Sequence, residues 1–275
     1  ASGHAVIFAR SATPPAWCGR SAGGWVRLLC TNDDGILALG LDCLVRAVQS
    51  LGEVTVVAPD REQSATSHSL TMHHPLRVKP RGERRFQVDG TPTDCVMLAV
   101  EALMPSRPDF VLSGINHGQN MGEDVLYSGT VAAAMEGLAL GVPSIALSFA
   151  GGDHGSVDPS MLPAQIPTVS HLLSHIFSLR LPSDTLLNIN LPSREARGVR
   201  LTRLGRRVFS DPLRRMQDPW GKEVYWIGGG VMAWTGGPDS DYQAIEDGYV
   251  SVTPLHLDLT HYDMLASAAD WWREP

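Results

Sequence analysis

Residues 26–58 hold an apolar run, a helix-periodic segment and a second apolar run in succession, and no other stretch restricts the fold so tightly. Val26 to Cys30, apolar apart from one Arg, reads as a strand. Ile36 to Ser50 repeats apolar residues at helical spacing (Leu37, Leu41, Leu44, Val45, Val48), and Gly52 follows where a C-cap is expected. Val54-Thr55-Val56-Val57-Ala58 is unbroken and β-rich, as in a strand buried on both faces, and Pro59 ends it. A strand–helix–strand unit closes with a right-handed crossover, so the two strands are expected in one parallel sheet.

The alternation continues to about Leu191. Strands are expected at Pro108–Ser113, Ser144–Ser148 and Leu186–Asn190, and helices at Cys95–Leu103, Val131–Leu140 and about Ala164–Leu179. Between them lie a polar, hydroxyl-rich loop from Asp60 to Ser69 and a basic stretch, 71–90, with short β signals that read as a solvated hairpin. Gly90-Thr91-Pro92-Thr93-Asp94 opens a helix with Thr93 or Asp94 as its N-cap. Residues 149–163, rich in Gly, Pro and Ser, are a candidate lid. The class is α/β, a mostly parallel sheet flanked by helices.

After Leu191 the pattern changes to short β runs (Val199–Thr202, Glu223–Ile227), turn clusters and aromatic residues that include Trp220, Tyr225, Trp226 and Trp234. This is a β appendage suited to packing on a second subunit. A strand at Ser251–Leu255 and a helix at Asp263–Trp272 close the chain. The expected layout is a core at about 26–195, a β extension at about 196–256 and a terminal helix at about 263–272.

At 275 residues and 43% hydrophobic content, the chain suits one large domain with an appendage. Its formal net charge of −7 argues against coating DNA or an anionic membrane. A small anionic substrate remains compatible, because a metal and backbone amides reverse the local field. Cys18, Cys30, Cys43 and Cys95 form no CxxC pair, as in reduced core thiols of a reducing, cytoplasmic setting. No apolar run approaches the roughly 20 residues of a membrane span. Residues 1–25 lack acids and carry Arg10, Arg20 and several Ser, the composition of a transit peptide, though a cloning remnant or over-extended start accounts for them more simply.

In an open parallel sheet, ligands bind outside the carboxyl ends of the strands. Thr31-Asn32-Asp33-Asp34-Gly35 leaves the first strand with two adjacent carboxylates. Alone, that pair is either a turn with one Asp capping the next helix or a seat for a hard cation. Ser64 leaves the second strand and Asn116 a third, so four oxygen donors converge on one edge. Such a set suits Mg²⁺, Mn²⁺ or Ca²⁺ rather than zinc or copper. Ser128-Gly129-Thr130 opens a helix, where exposed amides make an anion seat or a plain cap. His117, Gln119, Asn120 and Asp124 are placed to line the pocket, whereas His73-His74 reads as surface. Metal and anion seat together point to phosphoryl hydrolysis, with Asp33 or Asp34 also available as base or nucleophile. No GxGxxG follows the first strand, and no GxSxG elbow is present.

Taken together, Thr31 to Gly35, Val54 to Asp60 with Ser64, Gly90 to Cys95, Ser113-Gly114-Ile115-Asn116 and Tyr127-Ser128-Gly129-Thr130 resemble the SurE (survival protein E) family of metal-dependent 5′-nucleotidases. Asn188-Ile189-Asn190-Leu191-Pro192 and Val252-Thr253-Pro254-Leu255 fit as well, and the likeness runs from about Val26 to Trp272. The resemblance implies a Rossmann-like core whose C-terminal β extension is exchanged between subunits, giving homodimers or homotetramers. It implies a cytoplasmic phosphatase of nucleoside 5′-monophosphates, with 3′-nucleotides and short polyphosphate as further substrates. One divalent ion per subunit, Mg²⁺ or Mn²⁺, is implied on Asp33, Asp34, Ser64 and Asn116. The phosphate side falls on Ser128, Gly129 and Thr130, with Asn120 and Asp124 nearby. Residues 1–25 precede the point at which the family begins.

Overall fold

The computed structural model describes residues 25–150, 158–179, 181–182, 184–210, 213–227, 231–268 and 271. The N-terminal stretch 1–24 and the middle of the candidate lid, 151–157, lie outside the described residues. In chain order the strands are β1 (Val26–Thr31), β2 (Gly52–Pro59), β3 (Val78–Gly82), β4 (Arg85–Val88), β5 (Phe110–His117), β6 (Ser144–Phe149) and β7 (Leu186–Leu191). There follow β8 (Val199–Leu201), β9 (Arg206–Ser210), β10 (Leu213–Gln217), β11 (Glu223–Ile227), β12 (Val231–Thr235) and β13 (Val250–Leu255). The helices are α1 (Leu39–Val48), α2 (Pro92–Leu98), α3 (Gly129–Ala139), α4 (Ile166–Ile176), α5 (Asp241–Glu246) and α6 (Tyr262–Ser267).

Nine strands form one sheet in the order β3-β4-β2-β1-β5-β6-β7-β13-β8. Pairing is parallel from β4 through β7, and antiparallel only where β3 meets β4 and β13 meets β7. The expected α/β class is therefore the observed one. Leu28 and Cys30 join the core beneath α1 and α4, while Leu29 joins the core beneath α2 and α3. A strand covered on both faces needs apolar residues at successive positions, which is why β1 and β2 read as continuous runs rather than alternating ones. The chain leaves β1 toward β2 on one side and later returns to β5 on the other. That reversal opens a crevice at the carboxyl end of β1.

Several expected boundaries move, each for a local reason. α1 starts at Leu39, not Ile36, because the Ile36 amide bonds Pro59 O at 2.8 Å and the Ala38 amide closes a turn on Gly35 O at 3.0 Å. Its N-cap is Ala38, with no side-chain cap, so neither Asp33 nor Asp34 caps this helix. Gly52 opens β2 and does not cap α1; a Cβ there would lie 2.2 Å from Val26 O, so the strands meet closely at a glycine. α2 is capped by Thr91, with Pro92 in the first turn and Asp94 returning the bond to the Thr91 amide, a capping box. A π-helical segment, Ala99–Leu103, extends it. β5 runs on from Ser113 to His117, since pairing with β6 resumes at Asn116 and His117 after a register shift.

The basic stretch is a hairpin, but not a free one. β4 pairs with β2, and Val88 is fully buried with Phe86 packed beside it. Only its outer strand, β3, is mostly solvated. In the C-terminal half, β10–β11 forms an antiparallel hairpin nested within the antiparallel pair β9–β12, a β extension on the core. Cys30, Cys43 and Cys95 are free and buried, as read for reduced core thiols.

The root of the appendage is tied down by Asp241, a fully buried carboxylate that accepts bonds from the amides of Gly205 at 2.7 Å, Tyr242 at 2.8 Å and Gly122 at 2.9 Å. Burial pushes its pKa up, while the three amides pull it back. Asp241→Ala strands the buried amides of Gly122 and Gly205 and is expected to cost about 3 kcal/mol or more, measured by urea unfolding. A loss under about 1 kcal/mol would show that water replaces the carboxylate there.

Candidate active site

The diacid loop is braced before any ligand arrives. Asn32 Nδ2 donates to Gly35 O at 3.0 Å, closing the turn. Gly35 takes φ +99° with Arg61 backbone 3.2 Å from where a Cβ would sit, so only glycine suits it. The Gln63 amide donates to Asp33 O at 2.8 Å and ties the Ser64 loop to this turn.

Asp33 is 5% exposed, and its carboxylate is cradled by the start of α3. Thr130 donates its hydroxyl to Oδ1, and the Thr130 amide adds a second bond. Gly129 makes room: a Cβ there would lie 2.8 Å from the Asp33 Cβ. Burial pushes the Asp33 pKa up to about 6 against the Thr130 bonds, with the charge of Asp34 adding to the rise. Asp34 accepts from the His117 amide at 3.3 Å, and His117 Nδ1 stands 3.9 Å from the same oxygen. Its pKa is also raised, first by burial, with His117 opposing and Glu62 reinforcing the shift.

The carboxyl ends of β1, β2 and β5 open into a cleft of about 420 Å³. Asp33, Asp34, Ser64 and Asn116 all line it, so the four expected oxygen donors meet in one space. Ser64 Oγ donates to Glu62 Oε1 at 2.6 Å, and Asn116 Nδ2 donates to Gly118 O at 2.8 Å, leaving the amide oxygen as the acceptor. The Ser64 loop is anchored by Ser67 Oγ on Leu126 O at 2.7 Å and by His68 Nε2 on Glu136 Oε2 at 2.9 Å. Among the described residues, no three His, Cys, Asp or Glu side chains form a metal cluster. The donor set here has two carboxylates completed by a hydroxyl and an amide oxygen. That set fits a hard divalent cation that keeps some of its water.

The expected phosphate side divides in two. Asn120, Asp124 and Ser128 line the cleft, whereas Gly129 and Thr130 stand one layer behind it, against Asp33. Ser128 is the N-cap of α3 and accepts from the Val131 amide at 3.1 Å. Asn120 is held by a buried ladder: its amide bonds Asn190 Oδ1 at 2.9 Å, its Nδ2 bonds Ser148 Oγ at 2.8 Å, and its carbonyl accepts from Asn188 and Asn190. The Asn188-Ile189-Asn190 motif thus fixes the loop from β7. Asp124 forms an ion pair with Arg207.

Glu62, Ala65 and Arg207 line the cleft without having been placed there by the sequence, and Tyr127 was named only within its motif. Glu62 was within reach, as an acid two residues from Ser64 in a loop already assigned to the site. Tyr127 adjoins the Ser128 cap and carries no signal of its own within the Tyr127-Ser128-Gly129-Thr130 motif. Arg207 carries no local signal, since only tertiary packing brings β9 to this edge.

A family model described as "Survival protein SurE" matches residues 28–211. The chain is 66% identical over 254 residues to "5'-nucleotidase SurE" of Gemmatimonas aurantiaca, covering 91% of this chain and all of that one. It is 46% identical over 249 residues to the protein of the same name from Alkalilimnicola ehrlichii, covering 90% and 95%. The crystal structure of the SurE protein from Aquifex aeolicus superposes with a TM-score of 0.78 at 40% identity, covering 90% of this chain and 100% of that one.

Proposed function

The chain belongs to the SurE family, and from that premise we propose that it is a divalent-metal-dependent phosphomonoesterase that releases phosphate from nucleoside 5′-monophosphates. The observation that carries the reading is the convergence of Asp33, Asp34, Ser64 and Asn116 from three strand ends in one cleft. The relatives' shared name, 5'-nucleotidase, supports the substrate class. The cleft is open and polar, which supports 3′-nucleotides and short polyphosphate as further substrates.

Asp33, Asp34, Ser64 and Asn116 hold one Mg²⁺ or Mn²⁺. Such an ion, when bound, offsets the charge of the phosphate and lowers the pKa of water. The chain's own residues supply orientation. Thr130 and Gly129 fix Asp33 in one pose, and the His117 amide fixes Asp34. A carboxylate locked in this way does not reorganise during the reaction. Asn120 and Ser128 form the wall that faces the phosphate, Asp124 stands beside it paired with Arg207, and Gly129 and Thr130 act through Asp33. Asp34 is the better placed of the two acids to handle a proton, because Asp33 is committed to Thr130.

Exposed apolar side chains on the hairpins, among them Leu213, Trp220, Trp226 and Ile227, support assembly into a homodimer or homotetramer through the β extension. The free buried thiols support a cytoplasmic setting. No helix among the described residues is long and apolar enough to cross a membrane.

Incubation with AMP and Mn²⁺ is expected to release phosphate and adenosine, and EDTA is expected to reduce the rate to background until Mn²⁺ is restored. Turnover undiminished by EDTA removes the metal from the reading. Tight AMP binding without turnover under any divalent ion would make the chain a binding module instead.

A further inference from the structure

Arg207 enters the cleft from outside the α/β core. It lies on β9 of the extension and is the single Lys or Arg among the described residues lining the cleft. The other charged walls are acidic: Asp33, Asp34, Glu62 and Asp124. A phosphate dianion approaching four carboxylates meets repulsion that a divalent ion at one end offsets only in part.

The placement of Arg207 is built, not incidental. Its backbone amide donates to Glu123 Oε2 at 2.7 Å, and its guanidinium pairs with Asp124. Behind them, Asp241 binds the amides of Gly122 and Gly205 together, fixing the Asp124 turn against the start of β9. Gly122 permits that approach: a Cβ there would meet Gly205 O at 2.9 Å and the Trp234 ring at 3.1 Å. A glycine, a buried carboxylate and the acids Glu123 and Asp124 thus serve the position of one guanidinium.

We propose that Arg207 is the substrate-phosphate recognition residue of this cleft, with Asp124 acting on the substrate only through it. The inference rests on the phosphomonoesterase reading and extends it. A guanidinium carries its N–H donors in a planar fork that matches phosphate oxygens, a geometry a point-charge ammonium lacks. The partner acid orients the fork and is itself neutralised, so removing Arg207 both deletes a donor and exposes another negative charge to the phosphate. Asp124 removal does the opposite, leaving the cation in a less acidic cleft. Opposite signs for the two halves of one ion pair are what a purely structural clamp cannot produce.

The test compares wild type, Arg207→Gln, Arg207→Lys and Asp124→Asn in Mn²⁺. AMP steady-state kinetics are read beside calorimetric binding of inorganic phosphate. Arg207→Gln is expected to raise KM for AMP and weaken phosphate binding about 30- to 100-fold with kcat changed only a few-fold, the pattern of lost uniform binding. Arg207→Lys is expected to recover part of the loss, because charge is kept and the fork is not. Asp124→Asn is expected to bind phosphate within threefold of wild type or more tightly. Phosphate affinity in Arg207→Gln within twofold of wild type overturns the proposal. So does a loss in Asp124→Asn equal to that in Arg207→Gln. If Arg207→Gln fails to fold, the comparison of Arg207→Lys with Asp124→Asn decides the matter by the same signs. Should wild type bind phosphate yet release none from AMP, the phosphomonoesterase reading fails while calorimetry still reports on Arg207.

Discussion

Asp34→Asn is expected to lower kcat for AMP by on the order of 10³-fold or more at saturating Mn²⁺, equivalent to at least about 4 kcal/mol of lost transition-state stabilisation. The substitution is nearly isosteric. The amide oxygen still accepts from the His117 amide, now 3.3 Å from the carboxylate, so the loop keeps its shape while losing the negative charge. Metal affinity, read by calorimetry, should fall with the rate. Thr130→Val gives a graded comparison, because it removes only the hydroxyl that holds Asp33. A loss of about 10- to 100-fold is expected for that supporting role. An Asp34→Asn enzyme with wild-type turnover would take the carboxylate pair out of the mechanism, whatever its fold.

Gly40→Ala is expected to cost at least about 3 kcal/mol of stability, against the local preference of its own helix. On propensity alone, alanine inside α1 should stabilise by about 1 kcal/mol. The tertiary contact reverses the sign. A Cβ at Gly40 would stand 1.9 Å from Ile115 O and 3.0 Å from Ile115 C, both backbone atoms of β5. No rotamer change relieves a clash with backbone, so α1 must move off the sheet and lose part of its packing. β5 also carries Asn116, so the displacement should reach the proposed cation seat and lower activity in whatever fraction stays folded. Urea unfolding gives the measurement. Unchanged or increased stability would mean that α1 does not lie so close to β5.

Both predictions concern residues whose role differs in how visible it is before folding. The Asp33-Asp34 pair stands out in the sequence because adjacent acids at a strand end are costly without a cation. What the sequence left open was the alternative of a helix cap. α1 settles that point by starting at Leu39 behind a turn, out of reach of either acid. Ser64 and Asn116 were legible through topology: parallel strands put their carboxyl ends on one edge, and the cleft there is lined by all four donors. Gly129 and Thr130 were legible as a helix start that receives an anion. The anion they receive is the Asp33 carboxylate of the chain itself, which no spacing rule distinguishes from a ligand. The hairpin at 78–88 reads as polar because β3 faces water. Its inner strand is nonetheless a member of the sheet, a distinction that depends on β2 having a free edge.

The family rests on several motifs taken together, while the sequence by itself determined the α/β class, the parallel sheet and the placement of Asp33, Asp34, Ser64 and Asn116 at one sheet edge. These follow from patterns that short segments carry alone: continuous apolar runs, helical period, and polar residues at strand ends. Tertiary structure alone decided the environment of each donor. The Thr130 bond to Asp33, the His117 amide on Asp34, the asparagine ladder behind Asn120 and the arrival of Arg207 from β9 are all contacts between distant segments. Their physical basis is close packing, since a buried carboxylate takes its donors from whichever backbone and hydroxyl groups the fold brings within hydrogen-bonding distance, and separation along the chain does not enter that choice.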